Sequence, residues 1–266
     1  MPGQSKTSKN KKPRIQILIP CTRSIEYEGF MSVNNLTMSL LDNGYGVELT
    51  TTVGLPHAIA RNQLFQESIR LIEERRGTDK KIDYILWIDS DHRFMPEDIY
   101  TLIQHLKDHD LDSLSATYFT KSLPTGACAL EIKDRLADGR PNKYKLLVDF
   151  TTGRLYEMDA VGFGMFLMKP EILEEVYAKF GKCPFTFETR GPNNDHIIGE
   201  DISFCEKMKD IGYEVWLDTG VLIGHMGPIN MTLEMAQMLS RYYEKIQEER
   251  KKILKDGELK SKGKQE

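Results

Sequence analysis

The stretch 85–94, ILWIDSDHRF, decides the fold prediction, because an apolar run ends in two aspartates separated by one residue. Continuous apolar runs of this length are typical of strands buried on both faces of a parallel sheet. Pro96 follows, and proline is favoured in the first turn of a helix. Ligands of open parallel sheets bind beyond the carboxyl ends of the strands. The stretch therefore predicts a buried strand that places Asp89 and Asp91 at a binding edge.

Strands and helices alternate regularly in the first half of the chain. Apolar, β-branched runs predict strands over 14–19, 47–52, 82–88 and 111–119. Amphipathic spacing and Pro at helix starts predict helices over 27–41, 56–76 and 96–108. This order is typical of an α/β fold, in which helices cover both faces of a Rossmann-like, mostly parallel sheet.

After residue 120 the pattern changes to shorter segments. Strands are predicted over 128–132, 144–150, 160–168, 214–217 and 221–223. Helices are predicted after Pro170, from 199 to 212, and from 231 to about 255. The chain contains no internal repeat and no Pro/Ser-rich linker. We therefore predict a single domain over 14–228 with halves 14–120 and 121–228, flanked by a basic tail (1–13) and a C-terminal helix and tail (229–266).

The composition predicts a soluble, cytoplasmic protein. Of the 266 residues, 40% are hydrophobic, and no apolar run approaches the ~20 residues that cross a bilayer. The basic N-terminus lacks the apolar segment of a secretory signal. The four cysteines are scattered and form no CxxC pair, which argues against a zinc site and for reduced thiols.

The net charge of -4 is unevenly distributed along the chain. Residues 1–14 carry five positive charges and no negative ones, whereas residues 250–266 carry seven positive and three negative charges. The residues between them therefore carry a large negative excess. Basic ends could contact an anionic membrane surface, but solvated tails are the favoured interpretation, and no nucleic-acid partner is expected.

The paired aspartates suit a hard cation. In an extended backbone, residues i and i+2 point the same way, so Asp89 and Asp91 can supply oxygen ligands to one Mg²⁺ or Mn²⁺ ion. A second interpretation is structural, because Asp91 or Asp98 could cap the helix that follows Pro96.

A second group of polar residues lies between 199 and 227. Glu200 and Asp201 fall in the first turn of an amphipathic helix, where the helix dipole stabilises carboxylates and where a fixed base could also stand. His225 lies in the sequence Gly-His-Met-Gly after a predicted strand. A lone histidine is usually structural, but flanking glycines permit the close approach of a ligand or metal.

Five stretches in this order resemble the GT-A glycosyltransferases, above all the family-2-like branch and more loosely the Anp1-type mannosyltransferases. They are ILIPCTR, IARNQLFQESI, DYILWIDSDHRFMPEDI, DAVGFGMFLMKPEIL and GEDISFCEKMKDIGYEVWLDTGVLIGHMG, and they extend to residue 227. The DxD pattern alone is unspecific. Strand-DSD-helix, then VGFGMFLM, then GEDxxFC and GH at this spacing is a specific combination.

The resemblance implies transfer of a sugar from a UDP- or GDP-sugar to an acceptor hydroxyl on a glycan, protein or lipid-linked molecule. It implies Mn²⁺ or Mg²⁺ held by Asp89, Asp91 and His225. Asp201 would be the catalytic base of an inverting reaction, with Glu200 beside it. Further donor or acceptor contacts are implied for Pro20, Thr22, Arg23, Arg61, Ser90, Gly162 and Gly164.

The sequence departs from this pattern at two places. Pro-Cys-Thr-Arg follows the first strand where many relatives have Pro-Thr-Tyr-Asn, and no acidic residue directly follows the second strand, which leaves the base of the donor open. A sugar-1-phosphate nucleotidyltransferase is one alternative, but PCTRSIEYEG is not the glycine-rich loop expected of it. A non-catalytic nucleotide-sugar-binding protein is the other, although the DSD, GED and GHMG motifs are intact. Stereochemistry and oligomeric state stay open.

Overall fold

A seven-stranded sheet forms the centre of the computed structural model, which describes residues 12–122, 125–191, 193, 195–227 and 232–245. In spatial order the strands are β2 (Gly46–Val53), β1 (Arg14–Cys21), β3 (Tyr84–Ile88), β10 (Met165–Met168), β5 (Ser113–Thr117), β13 (Val215–Leu222) and β8 (Leu155–Met158). Within this sheet, β10 and β8 run antiparallel to their neighbours, and the other strand pairs are parallel. The predicted α/β, mostly parallel fold is confirmed.

Helices cover both faces of this sheet. They are α1 (Tyr27–Asp42), α2 (His57–Arg75), α3 (Pro96–Asp108), α4 (Pro170–Phe180), α5 (Glu200–Asp210) and α6, which is described over 233–245. Helices α1 and α3 pack on one face, and α2, α4 and α5 pack on the other. The predicted bounds of the first three helices agree with the structure to within a few residues. The remainder of the predicted C-terminal helix, like most of both basic tails, lies outside the described residues.

Strand β10 has an unexpected place and direction. It lies between β3 and β5, so Phe166 is opposite both Trp87 and Ser115 in antiparallel registers. The sequence predicted one strand-like piece over 160–168, whereas the structure divides it into β9 (Ala160–Val161) and β10, separated by residues 162–164. Because β10 is buried on both faces, its apolar sequence does not distinguish it from a parallel strand.

Three smaller sheets complete the mixed second half. Strands β6 (Ala127–Arg135) and β7 (Pro141–Leu147) form a three-stranded sheet with β9, and β11 (Glu188–Arg190) pairs with β12 (His196–Ile198) just before α5. Strand β4 (His92–Arg93) pairs with β14 (Gly224–His225). This last pairing joins the segment after β3 to the segment after β13, at the edge where the site lies.

An aromatic cluster fixes the α2 and α5 side of the core. Trp87 contacts Phe163 and Phe185 with ring centroids 5.7 and 5.3 Å apart, and Phe185 stacks on Phe204 at 4.4 Å. All four rings are almost fully buried. Since Phe204 lies one turn after Glu200, this packing holds the N-terminal end of α5 against the sheet. Among the described helices, none is long and apolar enough to cross a bilayer.

Candidate functional site

The segments after β1 and β3 meet at the carboxyl edge of the sheet. Pro20 is buried near the end of β1, whereas Thr22 is partly exposed and Arg23 is exposed. The backbone N–H of Glu26 donates a 3.0 Å hydrogen bond to the carbonyl oxygen of Ser90. The structure therefore brings the segment expected beside the nucleoside next to the Asp-Ser-Asp segment, as parallel strand ends require.

Asp91 and His225 come together across the β4–β14 pair. His225 is opposite His92 in the register, and the backbone N–H of Met226 donates a 2.7 Å hydrogen bond to the carbonyl oxygen of Asp91. Nε2 of His225 lies 3.5 Å from Oδ2 of Asp91. Nδ1 of His92 lies 3.1 Å from Oδ1 of the same carboxylate. Ligand atoms of these three residues lie within 4.8 Å of one another, which is close enough for one metal ion.

The hydrogen bond of His225 to a backbone carbonyl indicates which of its two nitrogens carries the proton. Its Nδ1 lies 2.7 Å from the carbonyl oxygen of Phe119, which can only accept, so Nδ1 carries a proton. In the neutral ring, Nε2 then presents a lone pair toward Asp91. A lone pair and a carboxylate oxygen that face each other attract a cation or a proton between them. Backbone hydrogen bonding of the opposite nitrogen is also the usual arrangement of a metal-binding histidine.

Lysine 121 also contacts Asp91. Its Nζ lies 2.5 Å from Oδ2, the oxygen that faces His225. Burial raises the pKa of Asp91, but the Lys121 ammonium and the neighbouring rings of His225 and His92 outweigh this effect and hold the pKa well below its usual range. Burial lowers the pKa of His92 below its ordinary value. Asp91 is therefore a carboxylate at neutral pH, and His92 is a neutral ring that could bind a metal.

Asp89 faces away from this cluster toward Arg61. Nη2 of Arg61 donates hydrogen bonds of 2.9 and 3.2 Å to the two carboxylate oxygens, and the backbone N–H of Asp89 donates to Gly164. Arg61 is only 3% exposed and lies over the ring of Phe163 at 5.0 Å. Its Nη1 has no hydrogen-bond partner among the described residues. The predicted grouping of Asp89 with Asp91 and His225 around one ion is thus not the arrangement of the side chains here, and Asp89 as a metal ligand stays a prediction.

Glu200 and Asp201 also lie near Arg61. Oε1 of Glu200 is 3.4 Å from Nε of Arg61. Asp201 accepts a 2.8 Å hydrogen bond at Oδ1 from the backbone N–H of Ile202. Burial raises the pKa of Asp201 from 3.8 to about 6; Arg61 opposes this rise, and Glu200 adds to it. The two neighbouring carboxylates therefore differ, because Glu200 is paired with a guanidinium and Asp201 is poised to exchange a proton near neutral pH.

Gly162 and Gly164 lie beneath the ring of Tyr118. A Cβ on Gly164 would be 2.5 Å from Nε2 of His92 and 2.6 Å from Cζ of Tyr118, and a Cβ on Gly162 would collide with the hydroxyl of Tyr118. The N–H of Gly164 donates a 3.0 Å hydrogen bond to that hydroxyl. The glycines are therefore required by packing against the site, and their predicted contact with donor or acceptor stays a prediction.

Two residues at the site were not identified from the sequence. His92 stands next to Asp91 in the DSDH stretch, and only its pairing with β14 reveals that its ring stacks on His225 at a centroid distance of 4.5 Å. Lys121 follows β5 without any local pattern that marks it. The stacking of His92 on His225 and the contact of Lys121 with Asp91 join segments that are distant in the chain, which local periodicity does not report.

Comparisons with known proteins support the fold rather than a particular activity. No protein-family model matches the chain, and no curated protein matches its sequence. The solved structure of A197 from STIV is similar with a TM-score of 0.53 and 16% identity, over 84% of this chain and 91% of that chain.

Two further solved structures match more weakly. GalNAc-T7 with UDP, GalNAc and Mn²⁺ has a TM-score of 0.45 at 11% identity, over 82% of this chain and 44% of that chain. A glycosyltransferase involved in glycosylation of the major capsid of PBCV-1 has a TM-score of 0.41 at 13% identity, over 86% of this chain and all of that chain. Glycosyltransferases are thus among the solved structures to which the chain is similar.

Proposed function

We propose that this chain is a metal-dependent glycosyltransferase that moves a sugar from a nucleotide-sugar donor to an acceptor hydroxyl with inversion. One observation carries the proposal: Asp201, with a pKa of about 6, shares Arg61 as a neighbour with Asp89, while Asp91, two residues after Asp89, lies beside His225 at the same sheet edge. A proton acceptor and a cation-binding group on either side of one buried arginine suit a reaction that deprotonates a hydroxyl and releases an anionic leaving group.

The residues at the edge fit a divalent cation. Asp91 and His225 would hold it, with His92 as a neighbouring nitrogen ligand and Asp89 as the predicted second carboxylate. Hard carboxylate oxygens with one or two imidazoles suit Mn²⁺ or Mg²⁺. When bound, the ion would act as a Lewis acid toward the donor diphosphate.

Arg61 supports the phosphate side of the site. Burial lowers the pKa of its guanidinium, but Asp89, Asp201 and Glu200 outweigh this effect and raise it, so the group stays charged. Nη2 donates both hydrogen bonds to Asp89 and Nε lies 3.4 Å from Glu200, so these two carboxylates hold the guanidinium, while Nη1 has no partner within the described chain. A fixed cation of this kind can stabilise charge that develops on a leaving diphosphate.

Asp201 is proposed as the base because of how its two oxygens are used. Oδ1 accepts the hydrogen bond from Ile202, and Oδ2 is left to accept the proton of an acceptor hydroxyl. At about pH 7, a group with a pKa near 6 is mostly ionised and still basic enough to take that proton. Glu200 is the weaker choice, since its Oε1 is held in the ion pair with Arg61 at 3.4 Å.

The identity of both substrates follows from chemistry only at the level of class. We propose a UDP- or GDP-sugar as donor and a hydroxyl on a glycan, protein or lipid-linked molecule as acceptor. We also propose that residues 14–228 form the catalytic domain and that the enzyme acts in the cytoplasm. For the basic ends, solvated tails stay the favoured interpretation, with contact to an anionic membrane surface as the alternative.

A panel of sugar nucleotides tests the proposal. The purified chain would be incubated with UDP- and GDP-sugars, with MnCl₂ or with EDTA, while thermal stability and release of nucleoside diphosphate are measured. We expect one donor to stabilise the protein only with the metal and to be cleaved slowly in water. The Asp91→Asn variant should fold and lose the metal-dependent stabilisation. Donor binding that is equal in EDTA and in Mn²⁺ would refute metal dependence, and binding without any cleavage, even with acceptors present, would favour a non-catalytic nucleotide-sugar-binding protein.

A further inference from the structure

Lys121 contacts the same oxygen of Asp91 that the proposed cation would use. Its Nζ is 2.5 Å from Oδ2, and the same oxygen is 3.5 Å from Nε2 of His225. The ammonium of Lys121 is a compact point charge that can only donate hydrogen bonds. A metal ion at this position would instead accept electron pairs from both the carboxylate oxygen and the histidine nitrogen. An ammonium and a divalent cation therefore compete for one carboxylate oxygen.

The position of the lysine is shaped by its neighbours. A Cβ on Gly227 would lie 3.0 Å from Cδ and 3.5 Å from Cε of Lys121, so the absence of a side chain at 227 leaves room for the lysine stem. The segment before the lysine is tied to the same cluster, since the carbonyl oxygen of Phe119 accepts the hydrogen bond of His225. The side chain is about one-third exposed, which allows it to move outward without unpacking the core.

The charges at the edge explain why such a movement would be useful. Asp89 is neutralised by Arg61, and Asp91 is neutralised by Lys121, so a divalent ion arriving alone meets a carboxylate that already has a counter-charge. Two cations within a few ångströms repel each other strongly in a partly buried site. A diphosphate that arrives with the ion adds negative charge and offers the ammonium a new partner.

We propose that Lys121 is a movable counter-charge that pairs with Asp91, yields this oxygen to the divalent cation, and then binds the diphosphate of the donor. This inference rests on the proposed function and adds a role for a residue that the sequence did not mark. Its consequence is thermodynamic coupling: the metal binds weakly alone and tightly with the nucleoside diphosphate, and the lysine supplies part of that coupling.

Direct measurement of Mn²⁺ binding tests the role of the lysine without any need for catalysis. Free Mn²⁺ would be measured by electron paramagnetic resonance during titration of the wild-type chain and of Lys121→Met, first alone and then with UDP or GDP. Removal of the competing ammonium should tighten binding of Mn²⁺ alone by about 2–5-fold, a range set by what a partly exposed ion pair contributes. The substitution should also weaken the binding of UDP or GDP in the presence of Mn²⁺, by about tenfold if one charge-assisted contact is lost.

Two control variants separate a specific effect from a general one. Lys121→Arg keeps the charge and should keep the weak binding of Mn²⁺ alone. Lys145→Met removes the lysine of an exposed pair with Glu131, at 2.7 Å, and should change neither affinity. Circular dichroism and melting curves would confirm that each variant is folded before titration.

The outcomes distinguish the role of the lysine from the proposed function. If the wild type binds Mn²⁺ and Lys121→Met binds it equally or more weakly, the proposed role of the lysine is wrong, whereas the metal site is still supported. Unchanged nucleoside diphosphate affinity in Lys121→Met also overturns it. Failure of Mn²⁺ to bind either chain, with or without UDP and GDP, overturns the metal-dependent function together with this inference.

Discussion

Replacement of Asp201 by asparagine should make the folded protein more stable at neutral pH while removing its proposed base. Asn keeps the size of the side chain and can still accept the 2.8 Å hydrogen bond from the N–H of Ile202. What it removes is a negative charge that burial disfavours. The folded pKa of Asp201 is about 6, against an ordinary value of 3.8, so ionisation of this group opposes folding.

The sign and the pH window of this effect follow from the two pKa values. Below 3.8 the carboxyl is protonated in both the folded and the unfolded chain, and the substitution should have little effect through charge. As pH rises from 3.8 toward 6, the unfolded chain loses its proton first, so the wild type loses free energy of unfolding. Above about 6 both states are ionised, and the loss is complete and constant.

The expected magnitude comes from the same pair of values. At 1.36 kcal/mol per pKa unit, the difference corresponds to at most ~3 kcal/mol at neutral pH. Asp201 retains some exposure to solvent, so we expect about 1–3 kcal/mol, or roughly 3–10 °C in melting temperature for a chain of this size.

Melting curves of the wild type and Asp201→Asn, collected between about pH 4 and pH 7.5, test this prediction without any substrate. The variant should melt higher, with a difference that grows up to about pH 6 and then levels. Glu200→Gln is the matched control: it loses a carboxylate paired with Arg61 at 3.4 Å and should not be stabilised. If Asp201→Asn melts at or below the wild-type temperature at pH 7, burial does not raise the pKa of Asp201 and the argument for this base fails.

Three further predictions concern the same edge. The rate of the proposed sugar transfer by the wild type should fall about tenfold between pH 7 and pH 5, because a base with a pKa near 6 becomes protonated over this range. Initial rates that do not change with pH would exclude Asp201 as the base. Arg61→Ala should lower the free energy of unfolding in urea by about 3–5 kcal/mol, since it leaves buried carboxylates without a counter-charge. Arg70→Ala on the exposed face of α2 should have little effect, and equal effects of the two substitutions would contradict the buried pairing. Gly164→Ala should destabilise the fold by at least about 2 kcal/mol in the same assay, because its Cβ would lie 2.5 Å from Nε2 of His92; a neutral substitution would mean that the ring can move aside.

The prediction for Arg61 shows where sequence reasoning reached its limit. From the sequence, Arg61 is a cation near the start of a predicted helix, and its contact with the donor is implied only by the resemblance. The structure buries the guanidinium to 3% exposure between Asp89 and Glu200. That burial depends on α2, β3 and α5 meeting at one point, and none of the three segments reports it alone.

The features of this protein that could be predicted from the sequence alone are the periodic and local ones. Apolar runs and amphipathic spacing predicted the alternating strands and helices, because burial on two faces or on one face leaves a pattern within a single element. They also predicted that Asp89 and Asp91 lie at a binding edge, because ligands of open parallel sheets bind beyond the carboxyl ends of the strands. The first turn of α5 was predicted to carry Glu200 and Asp201 for the same local reason.

The order of the strands in the sheet and the pairing of charges depend on contacts that form only when the chain folds. The apolar residues of β10 record its burial but not its direction, so its antiparallel place between β3 and β5 could not be read from the pattern. The contacts of Asp91 with His225 and Lys121, and of Asp89 with Arg61, join residues that are far apart in the chain. Hydrophobic periodicity is a property of one element at a time, whereas the ionisation of a carboxylate depends on every charge and every buried surface that folding brings within a few ångströms of it.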